Sequence, residues 1–155
     1  MSDIKRGYYI CKKINKPQPT DGVINRPTKE DIKLLSDYWY YAHLEMKGVT
    51  PITKKISTEN VERLLSANKI YCWKNKDNKI VSIGYYKILS NKAEVCGVYT
   101  NPKYRRKNYA SNLVYNITKE LLDKNFEPII YTNFNYVPSN KTYINIGYEL
   151  IEVIE

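Results

Sequence analysis

Histidine and cysteine are scarce in this chain, and long apolar runs are missing altogether. A single histidine, His43, excludes a histidine-rich metal centre, so no metal is expected. The three cysteines, Cys11, Cys72 and Cys96, are odd in number and widely spaced, and none belongs to a C-x-x-C pair. That usage fits reduced, packed thiols in a cytoplasmic protein better than a disulfide frame or a zinc site. No apolar run approaches the ~20 residues of a membrane span, so no membrane partner is expected. The opening residues, "MSDIKRGYYICKK", lack the apolar core and small-residue cleavage site of a signal peptide. Internal repeats and low-complexity segments are also missing.

What is present suits one domain over residues 1–155, with 43% hydrophobic residues to build a core. The formal net charge is +9 and the pI about 9.3. Such a charge can mean nucleic acid. Here Lys, Asn, Ile and Tyr are all heavily used, and all four have AT-rich codons, so genome composition supplies much of the lysine. There is no RNA-binding aromatic motif, zinc site or helix-turn-helix pattern either. No nucleic-acid partner is expected.

Along the chain, "GYYICKKI" followed by "NKPQPTDG" reads as a strand and a loop over residues 1–20. "GVINRPT" is a short strand ended by Pro27. Thr28 then caps a helix, with Asp31 at the capping-box position. Ile32, Leu35, Trp39, Ala42 and Met46 recur at helical spacing up to Gly48. "TPITKKIS" reads as a loop, and Ser57 as the start of a second helix carrying Val61, Leu64 and Leu65. Three strand-like runs follow, "KIYCWK", "KIVSIGYYKIL" and "AEVCGVYT", joined by the turns "NKDN" and "SNK". A helix is expected from about Asn108 to Lys124, with Leu113, Ile117 and Leu121 on one stripe. A strand "EPIIYTNF", a short helix "PSNKTYINI" closed by Gly147, and a strand "YELIEVI" complete a mixed α/β layer structure.

Between the third strand of the meander and the long helix lies "YRRKNYAS", Tyr104 to Ser111. A helix start leaves its first amides unpaired and carries partial positive charge, which suits a phosphate. Arg105, Arg106 and Lys107 add full charges there. Asn108 tolerates a left-handed backbone, and Ala110 is small enough to let a ligand approach. A merely solvated basic turn is the alternative.

"VYTNPKYRRKNYAS" resembles the acetyl-CoA motif Q/R-x-x-G-x-G/A of the GNAT superfamily of N-acetyltransferases, with Asn108 where the family usually has Gly. "NFNYVPSNKTYINIGYE" resembles the end of that domain, with Ser139, Asn140, Tyr143, Gly147 and Tyr148 at family positions and a departure at Tyr136 and Val137. The likeness is strong from about Glu94 onward. It implies a single GNAT-like mixed, mostly antiparallel sheet flanked by helices, and an enzyme that moves the acetyl group of acetyl-CoA to a primary amine of a small molecule or peptide by direct attack in a ternary complex. Residues 1–20 would be the remnant of an N-terminal lobe that some relatives carry. In the segment Val98, Tyr99 and Thr100, main-chain groups of Val98 and Thr100 would bond pantetheine. Arg105, Arg106, Lys107, Asn108, Tyr109, Ala110 and Ser111 would hold the pyrophosphate, and Asn140 would bond the pantetheine arm. Tyr143 would protonate the leaving thiolate, and Glu94 is the candidate base. The plainer reading of Glu94 is a surface carboxylate. Cys96, two residues on, reads as a packed thiol on the same strand face, and His43 as structural or a proton shuttle. The acceptor would approach over Trp39, Tyr40, Tyr41, Lys54 and Lys55, a rim that favours an amine also bearing a carboxylate or phosphate over a polyamine. A non-catalytic acyl-CoA sensor is the competing function, and homodimerisation is left open.

Overall fold

The computed structural model describes residues 5–46 and 51–155, so Gly48, the expected end of the first helix, lies outside the described residues. The strands are β1 (Arg6–Cys11), β2 (Val23–Asn25), β3 (Ile70–Lys74), β4 (Ile80–Leu89), β5 (Lys92–Thr100), β6 (Glu127–Asn133) and β7 (Tyr148–Ile154). The helices are α1 (Ile32–Glu45), α2 (Lys54–Ser66), α3 (Tyr109–Asp123) and α4 (Val137–Ile146). The strands form one sheet in the order β2-β3-β4-β5-β6-β1-β7. Every neighbouring pair is antiparallel except β5 and β6.

Alternation along the strands divides the core in two. Tyr71 and Trp73 of β3, with Ala93 and Val95 of β5, face Leu113, Val114, Ile117 and Leu121 of α3 and Ile146 of α4. Ile70 and Cys72 face the other way, toward Leu35, Tyr38 and Trp39 of α1 and Val61 and Leu64 of α2. The helices therefore lie on both faces, α1 and α2 on one and α3 and α4 on the other.

The local chemistry follows the residues. The Thr28 amide donates to the Asp31 carboxylate at 2.8 Å, opening a short 3-10 turn that runs into α1. Met46 is the C-cap of α1 and is exposed, off the buried stripe. α2 begins three residues earlier than Ser57: Thr53 is the cap, and its hydroxyl oxygen accepts from the Ile56 amide at 3.1 Å. Ser57 is instead a fully buried stripe position with Val61 and Leu64, and its hydroxyl donates back to the Thr53 carbonyl. A small polar residue on the inner face imitates a cap in the sequence.

β1 is interior to the sheet, paired with β6 on one side and β7 on the other, with Tyr9 and Cys11 each 1% exposed. Residues 12–22 then cross beside the start of α3 to reach β2 at the far edge. Gln18 carbonyl accepts from the Asn112 side chain (2.8 Å), and the Thr20 hydroxyl donates to the Lys107 carbonyl (2.6 Å).

Candidate active site

β5 and β6 are paired at only three positions, Lys92–Glu127, Ala93–Pro128 and Glu94–Ile129. Beyond Glu94 the two strands part, leaving a wedge between Val95–Thr100 and the end of β6. Within β5 the register against β4 shifts at Gly97, which has φ +64°. A Cβ at Gly97 would lie 2.2 Å from a Tyr85 ring carbon, so the bulge needs glycine. The bulge changes the strand's phase. Glu94 and Cys96 face the α1 side, opposite Lys87 and Tyr85 of β4, and Tyr99 also joins the α1-side core. Val98 packs on the α3 side.

The start of α3 sits at the mouth of this wedge. Arg106 (φ +65°) and Asn108 (φ +66°) are both left-handed, and Asn108 is the N-cap without a side-chain capping bond. The first amides of α3 therefore stay open to a ligand. Arg106, Lys107 and Asn108 are exposed, Ala110 and Ser111 half-buried. Among the described residues Arg106 and Lys107 form no ion pair. Tyr109 is turned inward, its hydroxyl donating to Asp21 at 2.8 Å; burial and that carboxylate push its pKa up to about 12. It contributes its amide, not its side chain, to the helix start.

Arg105 turns away from the helix start. It donates to the Thr100 carbonyl (2.8 Å) and to both Glu45 oxygens (2.9 Å each), with its guanidinium 5.4 Å from the Tyr99 ring centre. It braces the turn against the last turn of α1. Thr100 is thus partly engaged, its hydroxyl also lying 3.0 Å from that of Ser82.

Asn140 is buried and fully satisfied inside the protein. Its Oδ1 accepts from the Tyr9 hydroxyl (2.6 Å) and the Thr132 hydroxyl (2.7 Å). Its Nδ2 shares its two protons among the carbonyls of Asn133 (3.0 Å), Phe134 (3.1 Å) and Tyr136 (2.8 Å). An amide has two acceptor lone pairs and two donor protons, so none is left for a pantetheine arm. Tyr143, one turn further along α4, is half-buried and meets the Tyr148 ring edge-on at 6.3 Å. Burial, and then the Cys96 thiol, push its hydroxyl up to about 12. Cys96 is raised to about 12 as well, chiefly by burial, and is a thiol at neutral pH, not a nucleophile. Glu94 lies at the apex of the wedge, its side chain only 13% exposed and 3.9 Å from Lys87. It is not the surface carboxylate of the plainer reading.

His43 is held two rings away. It stacks on Trp39 (5.9 Å), which stacks on Tyr85 (5.0 Å). Its Nδ1 is 3.1 Å from the Trp39 carbonyl. A carbonyl only accepts, so Nδ1 carries the proton. Two hollows of about 430 and 400 Å³ lie by the C-terminal end of β5 on the α1 side, sharing Tyr38 and Asn101. Among the described residues no three His, Cys, Asp or Glu are grouped to hold a metal, and no helix is long and apolar enough to cross a membrane. Of the residues the sequence did not single out, Gly97 had a signal, a lone glycine in a strand pattern. Tyr9, Thr132 and Glu45 had none, because their partners are distant in sequence.

The structure resembles many solved ones. A GNAT-family acetyltransferase from Colwellia psychrerythraea superposes with a TM-score of 0.78 at 13% identity, covering 98% of this chain and 54% of that one. A GNAT acetyltransferase from Bacillus anthracis gives 0.68 at 19% identity, covering 90% and 82%. The ribosomal-protein-alanine N-acetyltransferase of Brucella melitensis gives 0.67 at 13% identity, covering 79% and 81%. The chain spans only about half to three fifths of the first such relatives, 54%, 61% and 49% of their lengths. No curated protein matches the sequence significantly. Residues 32–148, well over half of the chain, match the Acetyltransferase (GNAT) family, and the chain belongs to that family.

Proposed function

We propose that the protein is an N-acetyltransferase that moves the acetyl group of acetyl-CoA to a primary amine of a small molecule or peptide by direct attack. The observation that carries this reading is the wedge: strands that part at Glu94, with the uncapped start of α3 at the mouth and Tyr143 of α4 close enough to Cys96, on the parted stretch of β5, to be influenced by it. Acetyl-CoA brings the activated acetyl thioester; everything else is done by the chain. The open amides of Tyr109, Ala110 and Ser111, with Arg106 and Lys107 beside them, suit a pyrophosphate. Main-chain groups of Val98 and the amide of Thr100, on the parted stretch of β5, suit the amide-rich arm; the Thr100 carbonyl is taken by Arg105 and that of Tyr99 by Ser82. Arg105 and Asn140, whose side chains are taken, serve as braces on this reading.

Tyr143 keeps its proton at neutral pH and can donate to the departing sulfur. Its raised pKa lies above that of an ordinary thiol, about 8.5, so the hydrogen bond matters more than complete transfer. Glu94, on the α1 side of β5 and 3.9 Å from Lys87, is the base on this reading: its carboxylate takes a proton from the acceptor ammonium, and the free amine then attacks the thioester. The buried, unpaired thiols of Cys11 and Cys72 suit the reducing cytoplasm.

Acetyl-CoA at 100 times its dissociation constant should stabilise the fold by about 2.7 kcal/mol. Tyr143→Phe should leave its affinity near that of the parent while turnover on a competent amine falls about 10²–10⁴-fold. No binding of acetyl-CoA by calorimetry would remove the reading. Tight binding without thiol release over a broad amine panel would make the domain an acyl-CoA sensor instead.

A further inference from the structure

We propose that Tyr9 is a positioning residue for the Tyr143 hydroxyl, acting through the Asn140 amide; this rests on the donor role given to Tyr143 above. The starting point is that both polar atoms of the Asn140 side chain are engaged by groups of the protein itself. The three carbonyls its Nδ2 meets belong to Asn133 at the end of β6, Phe134, and Tyr136, the N-cap of α4. The amide therefore pins the corner where the parting limb of β6 turns into α4. That corner decides where α4 starts, and Tyr143 rides on α4 one turn beyond Asn140.

An amide can pin the corner in one orientation only. Turned over, it would aim its oxygen at three carbonyls. Two hydroxyls prevent this by donating to Oδ1. Thr132 comes from β6 itself, beyond the last parallel pair Glu94–Ile129. Tyr9 comes from β1, 131 residues away in sequence. Its ring is 1% exposed and closely packed: a Cβ built at Gly7 would lie 2.8 Å from its ring edge. β1 lies outside the segment that matches the family, residues 32–148. So a strand beyond the matched segment reaches into the wedge wall and fixes the orientation of the group that sets α4. A buried acceptor robbed of one donor is costly, and a small displacement of a reacting group lowers a rate far more than it lowers binding.

Tyr9→Phe keeps the ring and removes only the hydroxyl. The melting temperature without ligand, acetyl-CoA affinity by calorimetry, and kcat should be measured for the parent, Tyr9→Phe, Tyr143→Phe and the double variant. Tyr9→Phe should lower kcat about 10–10²-fold with the acetyl-CoA dissociation constant within about twofold. In the Tyr143→Phe background, where no hydroxyl is left to place, the same change should cost less than about twofold. The fall in melting temperature should be equal in both backgrounds. The side-chain NH2 signals of Asn140 in the ligand-free protein should shift and exchange faster in Tyr9→Phe. Should Tyr9→Phe not fold, Thr132→Val removes the other donor to the same oxygen and carries the same expectations. An unchanged kcat, or the same proportional loss in both backgrounds, would overturn the proposal while leaving the enzyme reading intact. A Tyr143→Phe variant with full turnover would instead remove the donor role and this inference with it.

Discussion

Asn108 is the residue at which this chain departs from its family's glycine, and the backbone shows what the departure costs. Its φ of +66° lies in the left-handed region, where Asn is tolerated and most residues are strained by about 1–2 kcal/mol. Arg106, two residues earlier, is left-handed too, so the turn holds two such residues without any glycine. Asn108→Gly should leave the fold intact. Stability should stay within about 1 kcal/mol, because relief at Cβ is offset by a freer unfolded chain. Acetyl-CoA should bind at least as well, as calorimetry would show; a clear loss of affinity would mean that the Asn side chain itself contacts the ligand. The left-handed backbone at Asn108 was legible from residue type; that of Arg106 was not. The direction of the Arg105 side chain was not, because Glu45, its partner on α1, is sixty positions away.

Among the elements, α3 was legible to within a residue of the expected Asn108–Lys124, whereas the helix expected from the Thr28 cap starts as a 3-10 turn and becomes α1 only at Ile32. The meander was legible too, from its turn chemistry: Asn78 in "NKDN" and Ser90 in "SNK" are both left-handed. What failed was the start of α2, where Ser57 looked like a cap while acting as a buried stripe residue. Thr53→Ala tests the revised start. Losing the Thr53–Ile56 bond should cost about 1 kcal/mol, the usual worth of an N-cap, read as a shift in urea midpoint at constant slope. Ser57→Ala should cost little by comparison, since its hydroxyl only back-bonds to the Thr53 carbonyl. The reverse ranking would restore Ser57 as the cap. The place of β1 was out of reach for a different reason. "GYYIC" announces a strand, but pairing with β6 and β7, more than a hundred residues on, is decided by tertiary packing and not by local pattern.

At the scale of the whole molecule, the core is built to an unusual degree from groups that ionise in alkali. Tyr9, Tyr38, Tyr71, Tyr85, Tyr99, Tyr109, Tyr143 and Tyr148 all have raised pKa values, each chiefly because burial disfavours the phenolate. Burial likewise pushes Cys11 up to about 11, and Cys72 and Cys96 up to about 12. The folded chain therefore holds protons that the unfolded chain releases near pH 8.5 for thiols and near 10 for phenols. The stability these groups contribute is fully present below those values and drains away as pH rises toward the folded ones. Each fully buried group subtracts about 1.4 kcal/mol per pH unit once its unfolded form has ionised. Stability should thus be flat in this respect from pH 7 to 8, fall gently above about 8.5 as the thiols engage, and fall steeply above 10. Urea midpoints at half-unit steps should trace that curve. Ionisation of these eight tyrosines, the part of the rise in absorbance near 295 nm that they contribute, should come in a cooperative step that coincides with loss of far-UV dichroism. Cys72→Ala, at a fully buried site away from the wedge, should remove the gentle fall in proportion to its one proton while lowering the neutral-pH baseline through the cavity it leaves. All 16 tyrosines titrating one by one near pH 10, with the fold intact, would show that the buried rings reach solvent and that the core is looser than its packing implies.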